Sequence, residues 1–291
     1  METEKLRAYL TALETGSLSA AAQRLGYTVS GISRMMASLE EEFGVPLLLR
    51  GKDGVAATRE GEEIAEEMRR TLFHSDLLSQ NAARLRGVEE GSIFIGSSSA
   101  GYFQEIAQDV RSFRRRHPGI RFRFVGGYST ELLEELKSHR IDLCISSLRE
   151  GSFRWKMLGE DEMVAWVPRS GKLASLRALP LEALQEVPFI DILPGKDIDN
   201  HRILKKNNIR PNVQYETMDS ETAWSMVGAG LGVAMHSRKN SIYRGADVRI
   251  LPLSPRVTVQ MGIAFLDERS PAAEAFLRTI GVQGAELKAG T

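Results

Sequence analysis

The 291 residues contain a single cysteine, Cys144. That excludes an intramolecular disulfide framework and any CxxC metal or redox pair. Set in the apolar run IDLCIS, it reads as a buried structural thiol. Long apolar stretches are missing as well. None approaches the ~18 residues a membrane span requires, and METEKLRAYL lacks the basic-then-apolar order of a secretory signal. The expected compartment is therefore the cytoplasm. Charge of one sign is not in excess: 38 Lys and Arg stand against 38 Asp and Glu. Any footprint for nucleic acid must then be local. Catalytic signatures are absent, with no GxSxG, HExxH or GxxxxGKS/T. GAGLG follows the helical run ETAWSMV instead of a strand, so it fails as a dinucleotide loop. The five histidines (His74, His117, His139, His201 and His236) are scattered. Neither an enzyme nor a cofactor-carrying protein is expected.

The most informative absence is short. No acidic side chain occurs from Thr15 to Leu39, and Arg24 and Arg34 are the only charges between Glu14 and Glu40. A solvated helical surface normally mixes both signs. Over the same stretch, Leu6, Leu10 and Leu13 form one helical stripe closed by Gly16. Ser17 can cap a second helix, LSAAAQRL, which ends at Gly26. Thr28 can cap a third, whose Ile32, Met36, Leu39 and Phe43 recur at helical spacing before Gly44. Small residues (Ala20, Ala21 and Ala22) suit a close helix crossing. Val29, Ser30, Gly31, Ser33, Arg34 and Ala37 are left outward near the start of the third helix. VPLLLRGKDGVAATREGE then reads as a hairpin turning at GKDG. This is the order of a helix-turn-helix followed by a wing, in which the second crossed helix enters the major groove.

From Thr58 to about Arg86 runs one long helical pattern, with glutamates at its positive dipole end. Ile64, Met68, Leu72, Leu78, Ala82 and Leu85 mark a stripe that needs a partner. An antiparallel copy from a second chain is the expected one, with packing back on its own domain as the alternative. After RGVEEG the pattern alternates strand and helix, implying a parallel sheet with right-handed crossovers. It recurs from FIDILPG to LGVAMHS, so two α/β lobes are expected. MLGEDEMVAWVP and VTVQMGIAFL carry the chain between them, and PAAEAFLRTI packs on the first lobe.

The segment LRAYLTALETGSLSAAAQRLGYTVSGISRMMASLEEEFGVPLLLRGKDGVAATREGE resembles the winged helix-turn-helix of LysR-type transcriptional regulators. The likeness extends over nearly the whole chain, including ETAWSMVGAGLGVAMHSR. The resemblance implies an α/β chain overall, in three parts. Residues 1–58 form the winged helix-turn-helix and residues 59–90 the linker and dimerisation helix. Residues 91–291 form a two-lobed, periplasmic-binding-protein-like effector domain, with lobe 1 at about 91–163 and 267–291 and lobe 2 at about 164–266. It also implies a homodimer or tetramer joined through Ile64, Met68, Leu72, Leu78 and Leu85. The partners would be double-stranded promoter DNA, a small-molecule effector and, for an activator, RNA polymerase. Expected DNA contacts are Arg24, Thr28, Val29, Ser30, Ser33 and Arg34, with Arg50 and Lys52 of the wing on phosphate or minor groove. Many members carry SQPA or SQSA where this chain has TVSG. Val29 thus offers only apolar contact where a glutamine would hydrogen-bond a base.

Ligands in two-lobed α/β folds bind where strands end and helices begin. Those ends carry Ser97, Ser98, Ser99 and Tyr102, then Tyr128, Ser129 and Thr130, then Ser146 and Ser147, then Asp191 and Ser220. Ser, Thr and Asp also simply cap helices, so the cluster argues more than any member. A small polar ligand is expected, often a carboxylate, while Asp191, Asp219 and Glu221 leave an amine or amino acid open. The reading from a different class is a small-molecule binding protein whose amino-terminal domain serves only protein contacts. The acid-free stretch favours DNA.

Overall fold

The computed structural model describes residues 2–51, 54–85, 90–241 and 247–282. The chain divides into two compact units, residues 1–91 with 138–140 and residues 92–137 with 141–291.

The first unit opens with α1 (Thr3–Thr15), α2 (Leu18–Leu25) and α3 (Val29–Phe43). Ser17 and Thr28 cap α2 and α3 by accepting from the Ala20 and Gly31 N–H groups at 3.3 and 3.0 Å. The turn between them is left-handed at Gly26, φ 75°, a conformation that costs any residue with a Cβ. Ala21 and Ala22 are buried at the crossing, and Leu6, Tyr9, Ile32, Met36 and Leu39 fill the core beneath. The hairpin β1 (Leu48–Gly51) and β2 (Gly54–Ala57) follows, antiparallel from Leu48↔Ala57 to Gly51↔Gly54.

Next comes α4 (Arg59–Leu85), whose first turn is capped by Thr58 accepting from Gly61 N–H at 2.9 Å. At Gly61 the helix presses on the hairpin: a Cβ there would meet Leu47 O at 2.3 Å and the Tyr9 hydroxyl at 2.4 Å. The apolar stripe of α4 divides. Ala65, Met68 and Leu72 are buried in the core of this same unit, with Ile64 packed against it, whereas Leu78 and Leu85 are 72% and 83% exposed. Met68 and Leu72 are thus corrected as dimerisation residues. The stripe from Ile64 to Leu72 is consumed by the helix-turn-helix core, and Leu78 and Leu85 at the far end are left free.

The second unit runs β3 (Gly91–Ser97), α5 (Ala100–Arg116), β4 (Ile120–Gly126), α6 (Ser129–Lys137) and β5 (Leu143–Ser147). The long β6 (Arg154–Pro168) leads out to a short β7 (Leu179–Pro180), β8 (Phe189–Ile192) and α7 (Asp199–Lys206). Then come β9 (Val213–Thr217), α8 (Ser220–Gly228) and β10 (Ala234–Ser237); the long β11 (Val248–Phe265) returns to α9 (Pro271–Thr279). The main sheet is ordered β10-β6-β11-β5-β3-β4 with β7 beside β11, while β8 and β9 form a separate parallel pair.

One end of β6 and β11 completes lobe 1 and the other completes lobe 2. Met261–Phe265 lie antiparallel to Ser147–Leu143 of β5, so on the return strand lobe 1 begins near Gln260 and not at 267. Lobe 1 buries Ile93, Ile95, Phe113 and Ile145 against Phe276 and Leu277 of α9 on one face. On the other it buries Leu132, Leu136 and Trp155 with Cys144, whose thiol burial pushes up to about 12. Lobe 2 has its own two clusters, around Phe189 and Met235 and around Trp166 and Val227.

Candidate functional site

On the first unit, the start of α3 presents a small, neutral face. Tyr27 and Val29 are 44% and 48% exposed, and Ser30 and Arg34 are exposed beside them. Arg34 donates only to the Ser30 carbonyl, at 3.3 Å, and has no carboxylate partner among the described residues. Two other basic residues are tethered. Arg24 pairs with Glu14 at 3.0 Å. Arg50 reaches the half-buried Ser33 hydroxyl at 3.5 Å and Glu40 at 3.7 Å. Glu40 in turn accepts the Leu47 and Leu48 N–H groups at 2.8 and 3.1 Å, fixing the base of the wing to α3. The acids flanking the acid-free stretch therefore fold back onto Arg24 within it and Arg50 of the wing, pairings that linear sequence conceals. Thr28 spends its hydroxyl on the cap, and Lys52 lies outside the described residues.

On the second unit, a cavity of about 360 Å³ opens between the lobes. Lobe 1 contributes Ser98, Gly127, Tyr128, Ser129 and Glu131; lobe 2 contributes Ile192, Leu193, Ile198, Asp199, Asn200 and Ser220; Met163, His236, Ser237 and Asn240 complete the wall. Three helices, α6, α7 and α8, begin in this wall, so unpaired N–H groups and positive dipole ends face it from both lobes.

The lobes are tied across the cavity. Arg149 Nη2 and the Ser147 hydroxyl donate to Asp199 Oδ1 at 2.7 and 2.8 Å. Thr130 donates to Asp197 at 2.9 Å, and two bonds from Arg202 hold that carboxyl down at about 2. Asn240 Oδ1 accepts the Ser99 hydroxyl and the Ala100 N–H at 2.9 and 2.8 Å, capping α5, whose own Ser99 makes no side-chain cap.

Ser220 and His236 lie 2.7 Å apart, which invites a nucleophile–base reading that the geometry refuses. Nδ1 of His236 accepts from Ser237 N–H at 2.8 Å, so the ring hydrogen sits on Nε2 and is donated to Ser220. Burial drives this imidazole down to about 4, and Trp166 stacks on it at 4.8 Å. His236 is a neutral donor, which leaves the Ser220 hydroxyl hydrogen free to donate elsewhere. His201 is the opposite case. Nε2 faces Asp191 and Nδ1 faces the Lys196 carbonyl, both at 2.7 Å. Two acceptors favour the imidazolium, and the Asp191 bond raises its pKa against the opposing effect of burial.

Of the sequence-derived ligand residues, Ser98, Tyr128, Ser129 and Ser220 line the cavity. The others are corrected. Ser97 turns inward and donates to Ser99 O at 2.8 Å. Tyr102 is buried in the lobe 1 core under Lys239. Ser99 is taken by Asn240. Ser146 and Ser147 are buried in β5, Thr130 holds Asp197, and Asp191 holds His201. The same strand-end rule also reaches the residues it missed. Asp199 and Asn200 open α7, and His236 and Ser237 end β10.

A winged helix-turn-helix and a two-lobed unit with a cavity between its lobes define a chain that pairs a DNA reader with a small-molecule pocket. Comparison with known proteins agrees. Residues 3–62 match the family model described as a bacterial regulatory helix-turn-helix protein, lysR family, and residues 86–283 match the LysR substrate binding domain. The chain belongs to the LysR family of transcriptional regulators. Among curated relatives, the uncharacterized HTH-type transcriptional regulator YybE of Bacillus subtilis is 27% identical over 95% of this chain and 97% of its own. The probable regulator LrrA of Synechococcus elongatus is 27% identical over 99% of each. In fold, the chain is similar to the LysR family regulator CbnR, at TM-score 0.67, 20% identity and coverage of 97% and 98%. It is also similar to OxyR of Pseudomonas aeruginosa, at 0.68, 20%, 97% and 93%. Among the described residues no helix is long and apolar enough to cross a membrane.

Proposed function

We propose that this regulator binds promoter DNA as a homodimer, or a tetramer built from it, and alters transcription when a small molecule occupies the inter-lobe cavity. The observation that carries the sensing half is the cavity itself: helix amino ends from both lobes meet in its wall, and the ties across it join one lobe to the other. A ligand that makes different contacts in open and closed lobes shifts that equilibrium by its differential affinity. For the reading half, Val29, Ser30 and Arg34 approach base edges and phosphates, while Arg24, Ser33 and Arg50 border them. Support comes from a similar chain, full-length CbnR complexed with its target DNA, at TM-score 0.65 and 21% identity. The exposed end of α4 carries self-association through Leu78 and Leu85, RNA polymerase is the partner where the chain activates, and the site of action is the cytoplasm.

A nuclease footprint on the DNA flanking the protein's own gene, at two salt concentrations, tests this. Two half-sites separated by about one helical turn or a multiple, weakened by salt, are expected. A folded dimer that protects no such DNA leaves the binding-protein reading in its place.

A further inference from the structure

The inter-lobe cavity has carboxylates in its wall and no lysine or arginine among the described residues that line it. Of the two carboxylates, Asp199 is already matched by the buried Arg149 guanidinium and the Ser147 hydroxyl. Glu131 is not. It stands exposed in the first turn of α6, with Oε2 against the backbone of Gly127, where an added Cβ would come within 2.8 Å of it. Glu134, one turn further on, has Lys137 at 2.7 Å; Glu131 has no such cation among the described residues. The remaining polar groups are neutral: serine and tyrosine hydroxyls, the amides of Asn200 and Asn240, and the uncharged His236. Met163, Ile192, Leu193 and Ile198 supply an apolar surface.

A dianion entering here would meet Glu131 with no side-chain counter-ion. An ammonium group would meet an unpaired carboxylate at the mouth of the cavity, to which it can donate charge-assisted hydrogen bonds. At about 360 Å³ the space is at the small end for ligand sites and suits a compact aliphatic body. Accepting the cavity as the effector site, we propose that its ligand carries a protonated amine with Glu131 as counter-ion. The carbon skeleton of the ligand lies on Met163, Ile192, Leu193 and Ile198. A carboxylate on the same molecule is compatible, since Ser220 has a hydroxyl hydrogen to give and three helices begin in the wall.

The test uses the full chain and three matched probe sets at millimolar concentration: aliphatic L-amino acids, short alkylamines, and the corresponding alkanoates and dicarboxylates without the amine. Thermal melting finds probes that bind the folded state, and titration calorimetry measures them. Amine-bearing probes are expected to raise Tm and the amine-free ones to leave it unmoved. Glu131→Gln should weaken the best probe by about tenfold or more, the loss of one hydrogen bond to a charged group. Glu131→Asp should fall between, and the ligand-free melting of each variant reports its folding. Stabilisation by amine-free carboxylates alone overturns the amine assignment and keeps the sensor. Amine binding undiminished in Glu131→Gln overturns the role of Glu131. Silence from every probe, with the footprint intact, overturns the assignment and the sensing half together.

Discussion

Arg149 Nη2 donates to Asp199 Oδ1 at 2.7 Å, joining the strand end of β5 in lobe 1 to the first residue of α7 in lobe 2. The arginine side chain is 7% exposed and the aspartate 24%. A pair held this far from water is costly to break from one side, because the orphaned charge stays behind. Arg149→Met is expected to destabilise the two-lobed unit by about 3 kcal/mol or more. Adding Asp199→Asn should restore most of the loss. Thermal melting of the two single variants and the double measures the coupling. Additive losses would show that the pair does not tie the lobes.

Two histidines, His236 in the cavity wall and His201 on α7, set opposite limits on stability with pH. His236 has a folded value near 4, below the unfolded one. Its neutral form therefore stabilises fully above pH ~6.5, and that contribution is lost as pH falls toward 4, on the order of 3 kcal/mol. His201 is raised by Asp191. Its contribution is fully present below ~6.5 and is lost as pH rises through the folded value. His201→Gln should flatten the alkaline limb of a Tm-against-pH curve and leave the acid limb. A variant whose alkaline limb matches the parent would show that the folded state does not hold His201 as the imidazolium.

The helices and their ends were legible in the sequence because their causes are local. Ser17, Thr28, Gly16, Gly26 and Gly44 act within a turn of where they stand. The cavity was legible only as a rule about strand ends. That rule found Ser98 and Ser220 but also took in Ser97 and Ser146, because a side chain one residue along a strand points to the opposite face. Asp191 was named and Asp199 missed for a similar reason: six residues separate β8 from α7, and the carboxylate in the wall comes from the start of the helix, whereas β8 supplies only the apolar Ile192. Asn240 could not be found this way at all. It caps α5 from 140 residues away, and nothing local to either partner announces the other.

Arg34 is a cation of the proposed DNA-facing surface that no described carboxylate holds. Arg34→Ala is expected to lower operator affinity by about tenfold and, for a phosphate contact, to reduce the slope of log K against log salt by about 0.9. Arg24→Ala should cost less, since Glu14 already offsets that charge. Equal losses from the two variants, read by fluorescence anisotropy at several salt concentrations, would contradict the ranking.

On the proposed reading, the split stripe of α4 separates folding from association on one helix. Met68 is 3% exposed in the core of the amino-terminal unit, so Met68→Ala removes buried volume and should cost about 2–5 kcal/mol of stability. Leu78, ten residues on and 72% exposed, loses little packing within the chain when replaced. Leu78→Glu should leave the thermal stability of the isolated subunit close to that of the parent, yet lower the sedimentation mass toward one chain and weaken operator binding with it. The two effects must move together, because a dimer reads two half-sites and a single subunit only one. A Leu78→Glu protein that sediments as a dimer would place the interface elsewhere. Dissociation caused by Met68→Ala at temperatures where it remains folded would join the two ends of the stripe again.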